Sequence, residues 1–339
     1  MTRACVFGCV GVTLTAEEAA FFRDARPWGF ILFRRNIDNP PQVRRLTADL
    51  REAVGAAGAV VMIDQEGGRV QRLGPPHWAV RPSARAIGRA HLDEDGRRAL
   101  ARLGARLIAH DLRDLGIDAN CAPVADIPTS DAHDVIGDRA YGADSRSVTI
   151  LARAFAEGLL AGGVLPVIKH IPGHGRAGVD SHEALPVVKA SLADLEKTDF
   201  APFRALSDMP AAMSAHVVYT AIDPNRAATR SRTVVSKVIR GAIGFQGLLI
   251  SDDLSMRAFD GNLERRAGDT LAAGCDIALH CNGEMAEMRR VADGARELSG
   301  RAAVRAEAAM ARRVSEVEPL DVAIAEGRFA RLLDLARAA

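Results

Sequence analysis

Eight short apolar runs punctuate the 339-residue chain, and nearly all end in polar residues. They cover residues 4–10, 29–33 before Arg34-Arg35-Asn36, 60–63 before Asp64, and 119–124 before Asp126. The other four are 165–168 before Lys169-His170, 211–213 before Ser214, 248–250 before Ser251-Asp252, and 277–279 before His280. Runs that are apolar throughout are buried on both faces, as strands of a parallel sheet are. Between them, residues 43–54, 96–115, 148–161, 192–206, 234–242 and 263–273 repeat their apolar positions near every 3.6 residues, which predicts helices. Eight βα units at spacings of about 30 to 60 residues fit an α/β fold of the (β/α)8 barrel type better than a doubly wound sheet. In such a barrel catalytic groups stand at the C-terminal strand ends, where these polar residues cluster.

The whole chain, 1–339, is read as one catalytic barrel with extended βα loops, because no linker, low-complexity segment or internal repeat divides it. The longest interval, Asp64 to Asn120, predicts an extended loop after the third strand. The Ala/Arg-rich tail from Gly300 is expected to be helical and to pack on the barrel. Near the start, Gly8 and Gly11 interrupt a run that would otherwise imitate a signal peptide. Thr15 and Glu18 predict a helix opened by a capping box. Lys+Arg number 44 against 43 Asp+Glu, a net charge of +1, which removes nucleic acid and anionic lipid as default partners. No apolar stretch approaches the roughly 20 residues needed to span a bilayer. Five cysteines without a Cys-x-x-Cys suggest neither a disulfide framework nor a zinc ribbon, but a reducing compartment.

Gly173-His174-Gly175-Arg176-Ala177-Gly178 satisfies the dinucleotide pattern G-x-G-x-x-G. That chemistry needs a helix to begin there and hold a pyrophosphate at its N-terminus. Pro172 before the glycines and Pro186 after them argue against one. The segment reads instead as a mobile glycine-rich loop carrying His174, Asp180 and His182, attached to a strand ending in Lys169-His170. Asp180 and His182, two apart, share a side of an extended loop, where the carboxylate can orient the imidazole and stabilise its charged form.

A buried strand that runs into Ser251-Asp252-Asp253 is costly unless one acid faces a polar cavity. Asp252, at the tip, fits that role, whereas Asp253 fits a helix cap. The segment 64–72, Asp-Gln-Glu-Gly-Gly-Arg-Val-Gln-Arg, suits either a polyhydroxylated ligand or a salt-bridge network at the barrel mouth. Arg139 sits on a loop after the fourth strand.

Together these segments resemble the NagZ-type β-N-acetylglucosaminidases of glycoside hydrolase family 3. DQEGGRVQR (64–72), IGDRAYG (136–142), KHIPGHGRAGVDSH (169–182), SAHVVYTAID (214–223) and ISDDLSM (250–256) stand in the family's order across about 190 residues. Ile171 departs conservatively from the family's usual Phe. The resemblance implies Asp252 as nucleophile, His182 as general acid/base with Asp180 as its dyad partner, and Asp64, Arg72, Arg139, Lys169 and His170 as sugar-binding residues. It further implies terminal β-linked N-acetylglucosamine as substrate, chiefly on 1,6-anhydro-N-acetylmuramoyl peptides of cytosolic peptidoglycan recycling, with no cofactor; the sequence does not give the oligomeric state, and a monomer is the expectation. Larger members carry a second domain that supplies a carboxylate acid/base; here the acid/base is expected on a barrel loop. A metal-dependent hydrolase using His170, His174, His182, His216 and Asp252, a non-catalytic sugar-binding barrel and a glycoside phosphorylase are the competing readings.

Overall fold

Each of the eight apolar runs forms a strand of one closed parallel barrel in the computed structural model, which describes residues 1–129, 134–179, 185–256, 261–313 and 317–337. The strands are β1 (Arg3–Gly8), β2 (Pro27–Leu32), β3 (Val60–Ile63), β4 (Ala119–Asn120), β5 (Leu165–Ile171), β6 (Ala211–Ser214), β7 (Leu248–Asp253) and β8 (Ile277–His280). They pair in chain order, and β8 closes on β1 through Cys5–Ala278, Val6–Leu279 and Phe7–His280. Every residue of β2, β3, β5 and β8 is buried, as a doubly covered parallel strand requires.

Three strand ends differ from the expected boundaries in ways that shape the site. β4 ends at Asn120, and pairing with β5 resumes beyond it at the Val124–Lys169 bridge. β5 and β7 run on through their polar tips, with Ile171 registered on Ser214 and Asp253 on Leu279. Lys169, His170 and Asp252 are therefore strand residues; Lys169 is registered on Met213, while His170 and Asp252 stand where the register shifts.

The outer helices open on side-chain caps, of which the Thr15–Glu18 box was expected. Thr15 and Glu18 form the capping box of Ala16–Ala25, Asn39 caps Pro40–Ala53, Asp93 caps Glu94–Asp114, and Asp144 caps Ser145–Ala161. The stretch 192–206 is two helices, Leu192–Lys197 and Phe200–Ala205. Pro202 explains the break: its ring excludes the carbonyl of Thr198, four residues back, so one helix cannot pass through. Val234–Ala242 winds as a π-helix.

The long loop after β3 begins with an antiparallel ribbon, Gln65–Gly67 against Val70–Gln71. Gly67 and Gly68 turn it at φ of 96° and 59°, a region that favours glycine. The tail forms Gly300–Ala311 and Val322–Arg337, and the latter seats the Phe329 ring against Gly104 of Glu94–Asp114. Among the described residues no helix is long and apolar enough to cross a membrane. All five cysteines are buried and unpaired.

Candidate active site

At the C-terminal mouth of the barrel lies a cavity of about 340 Å³ whose walls include Asp64, Arg72, Arg139, Lys169, His170 and Asp252. The six come from four places: the end of β3 and its ribbon, the turn Gly137–Arg139, and the tips of β5 and β7. Asp180 and His182 lie outside the described residues.

Lys169 is the hub. Its side chain is 2% exposed, and its ammonium donates to Asp64 Oδ1 at 2.8 Å and pairs with Glu66 Oε1 at 2.7 Å. Glu66 also takes both prongs of Arg139, Nε at 2.9 Å and Nη2 at 2.8 Å, the bidentate geometry in which guanidinium binds carboxylate most strongly. Arg72 Nη2 reaches Asp64 Oδ2 at 3.3 Å and packs its guanidinium over Phe33. Burial alone would neutralise these groups. For Asp64 it is outweighed by Lys169 and Arg72, and for Glu66 by Arg139 and Lys169, so both carboxyls are held below the usual carboxylate range. Burial pushes the Lys169 ammonium down, but Asp64 and Glu66 more than reverse it and keep it charged.

A second buried acid, Asp126, organises the histidines. It accepts from the backbone N–H of His170 at 3.2 Å and of His174 at 2.7 Å, and its Oδ2 lies 2.7 Å from His170 Nδ1. Burial acts against its charge, yet His170 and the N–H donors hold its carboxyl below the ordinary value. An ionised carboxylate only accepts, so His170 carries its proton on Nδ1 toward Asp126. His174, buried and 5.4 Å ring to ring from His170, is pushed down to about 4 by burial and by that neighbour, and it is neutral.

Asp252 is buried at the tip of β7. Burial raises its pKa, but His216, His170, the N–H of Asp253 and Lys169 bring it below the ordinary range. Its Oδ1 accepts the N–H of Asp253 at 2.8 Å, and among the described residues Oδ2 takes no hydrogen bond. His216 is fixed beside it by Thr229 Oγ1 at 2.9 Å and by the Asp253 carbonyl at 3.0 Å. Asp253 binds the N–H groups of Ser255 and Cys281 at 3.0 and 3.1 Å. The expected helix cap is thus a turn cap, because residues 254–256 form a turn.

The glycine segment corrects another expectation. No helix begins between Pro172 and Val179, but Pro172–Ala177 is largely buried and not a free loop. A Cβ on Gly175 would stand 1.9 Å from the carbonyl oxygen of Ile127, and the Tyr219 hydroxyl donates to the Gly173 carbonyl. These glycines serve close backbone approach. Sequence reasoning did not single out Glu66, Asp126 or the placement of His216 beside Asp252. Asp126 carried a usable signal, an acid directly after a buried run, the same one that marked Asp252.

The arrangement sets an ionised carboxylate opposite a wall of paired acids and cations able to exchange hydrogen bonds with several hydroxyls. Residues 7–317 match the family model of the glycosyl hydrolase family 3 N-terminal domain. The chain belongs to glycosyl hydrolase family 3. Within that family it is similar to the β-hexosaminidase of Bordetella avium, 40% identical over 278 residues, 80% of this chain and 78% of that one. The β-hexosaminidase of Pseudomonas aeruginosa is 38% identical over 275 residues, 80% of each chain. Among solved structures, NagZ from Neisseria gonorrhoeae in complex with N-trifluoroacetyl-D-glucosamine superimposes with a TM-score of 0.86 at 32% identity, covering 99% of this chain and 98% of that one. LpqI of M tuberculosis gives a TM-score of 0.74 at 30% identity, covering 94% and 93%. This family 3 member is a glycosidase of the β-N-acetylhexosaminidase class.

Proposed function

We propose that the enzyme is a retaining exo-β-N-acetylglucosaminidase that removes terminal β-linked N-acetylglucosamine from 1,6-anhydro-N-acetylmuramoyl peptides in cytosolic peptidoglycan recycling. The observation that carries the proposal is Asp252: a buried carboxylate, kept ionised by His216 and His170, with one oxygen that takes no hydrogen bond among the described residues, at the wall of a polar cavity. The N-trifluoroacetyl-D-glucosamine bound by the Neisseria protein supports the choice of sugar.

In this reading Asp64, Arg72, Arg139, Lys169 and His170 bind the sugar. The Asp252 carboxylate attacks the anomeric carbon as the glycosidic C–O bond breaks, and His182, charged and held by Asp180, gives its proton to the leaving oxygen. Neutral His182 then takes a proton from water, whose oxygen displaces Asp252 and restores the carboxylate. An imidazole titrates near neutrality unaided, so it can be acid and then base at one pH. The roles of His182 and Asp180 rest on the motif 169–182.

The test is release of p-nitrophenol from its N-acetyl-β-D-glucosaminide, with and without EDTA and with and without phosphate. Activity that EDTA leaves intact, that Asp252→Asn abolishes, and that His182→Ala lowers by about 10²- to 10⁴-fold is expected. The first sugar released should be the β-anomer and should carry no phosphate. Near-normal turnover in both variants would overturn the assignment.

A further inference from the structure

A second cavity, of about 630 Å³, opens on the same end of the barrel, bounded by the long loop after β3 and the segments after β4. The two cavities share a wall. Val135, Ile136 and Arg139 face the first, while Asp134, Gly137 and Tyr141 of the same segment face the second. Three guanidiniums line the second cavity: Arg85 and Arg89, on and just after the helix Ala84–Gly88, and Arg97 in Glu94–Asp114.

Their hydrogen bonds leave the charge uncompensated. Arg85 Nη2 donates to the Gly137 carbonyl at 2.6 Å and Arg97 Nη1 to the Gly88 carbonyl at 3.0 Å, which fixes both without neutralising either. Among the described residues none of the three forms an ion pair, whereas Arg69 and Arg146 nearby pair with Asp138 and Glu94. Of the two acids on the same wall, Asp134 lies 3.4 Å from Arg69 Nη1, and Asp144 caps the helix Ser145–Ala161 by accepting from the Ser147 N–H at 2.8 Å. Three guanidiniums against two carboxylates, one of them paired with Arg69, leave the described lining of the cavity net positive. Its volume is in the range of pockets that hold drug-sized ligands, about 300–1,000 Å³.

We infer that this cavity is a subsite for the carboxylate-bearing peptide of the leaving group, with Arg85, Arg89 and Arg97 as its anion-binding residues. The inference rests on the substrate reading above. A leaving group that passes over the Val135–Gly137 ridge enters this cavity, and a peptide side chain or terminal carboxylate there meets guanidiniums with donors to spare. In the sugar cavity Lys169, Arg72 and Arg139 are paired with Asp64 and Glu66 and Arg35 donates to the Cys9 and Cys281 carbonyls, whereas the second cavity gathers three guanidiniums without an acid partner among the described residues.

The experiment compares kcat/KM for the disaccharide carrying its peptide with kcat/KM for the same disaccharide after the peptide is removed. In the wild type the peptide-bearing form should be preferred by about fivefold, in line with hydrogen bonds to charged groups at a partly exposed site. Added salt should shrink that preference. Arg89→Glu, at an exposed position, and Arg97→Gln should each cut the ratio by about threefold or more, and Arg89→Lys should restore part of it. A wild-type preference that both variants leave unchanged would overturn the subsite while leaving the substrate reading standing. Cleavage of the p-nitrophenyl glycoside but of neither disaccharide by the wild type would overturn both.

Discussion

Glu66 sits where removal of a single charge should be felt most. Its carboxylate is 7% exposed and joins Lys169 to both prongs of Arg139, two cations that burial would otherwise drive toward neutrality. Glu66→Gln keeps the shape but leaves Lys169 with Asp64 alone. Breaking one partner of a buried ion network costs about 3 kcal/mol, so the variant should melt several degrees lower. Loosened Lys169 and Arg139 should also raise KM for the p-nitrophenyl glycoside by about tenfold while kcat changes less. A melting curve and a Michaelis plot of the wild type would count against this if the variant reproduced both. The residue also shows what spacing can reveal. Asp64, Lys169, His170 and Asp252 were legible because each is a polar residue at the tip of an apolar run. Glu66 was not, because its importance comes from Arg139, 73 residues further on, and no local pattern announces that pairing.

At the scale of elements, strands were easier to read than the contacts that hold their loops. The runs gave eight strands because burial on both faces leaves a plain apolar signature, and Thr15 with Glu18 marked the start of the first helix. The break in 192–206 was visible in principle as Pro202 inside a helical period. What could not be read is how the last helix reaches the site. Arg81, 5% exposed, donates to both carboxylate oxygens of Glu326 in Val322–Arg337, at 2.9 and 2.6 Å, across 245 residues of sequence. The backbone of Arg81 is stitched to the ribbon that carries Glu66: its N–H donates to Gln71 Oε1 and its carbonyl accepts the Gly68 N–H, both at 2.9 Å. The terminal helix therefore braces a binding loop. Glu326→Ala would leave Asp111, at 3.8 Å, as the one carboxylate by Arg81 among the described residues, and with Glu326 itself 39% exposed the loss should be about 1–2 kcal/mol of stability. Because the ribbon moves with Arg81, KM should rise severalfold with little change in kcat, and Glu326→Asp should recover part of both losses. A lowered melting temperature with unchanged KM would show a brace without any hold on the site.

For the molecule as a whole, the order of the barrel followed from eight similar βα units in succession, since consecutive parallel strands joined by helices close in chain order. The electrical state of its interior did not follow, because it depends on which charges the closed barrel brings together. That state sets how stability varies with pH. Burial and a neighbouring imidazole push His174 down to about 4, and burial lowers His216 as well, so the folded protein keeps both neutral where the unfolded chain, near its ordinary value of about 6.5, takes up protons. The unfolded state binds more protons in that interval, so stability falls as pH drops from about 6.5 toward 4, by up to about 1.4 kcal/mol per pH unit for each fully titrating group. Asp64, Glu66, Asp126 and Asp252 act in a lower window. Their carboxyls are held below the ordinary range by Lys169, Arg139, Arg72 and the histidines, so their contribution is complete above about pH 4 and is lost as pH falls through their folded values. The melting temperature should thus be level above pH 7, decline from 6.5 to 4, and fall more steeply below. His174 faces Asp126 and His170, and His174→Gln removes one titrating group from the upper window while leaving the carboxylates in place. Its melting temperature should decline less between pH 6.5 and 4 than that of the wild type, whatever its absolute value, and should rejoin the wild-type slope below 4. Parallel curves across the upper window would mean that His174 is not a buried neutral imidazole, and the decline would then fall to His216 and the other titrating groups.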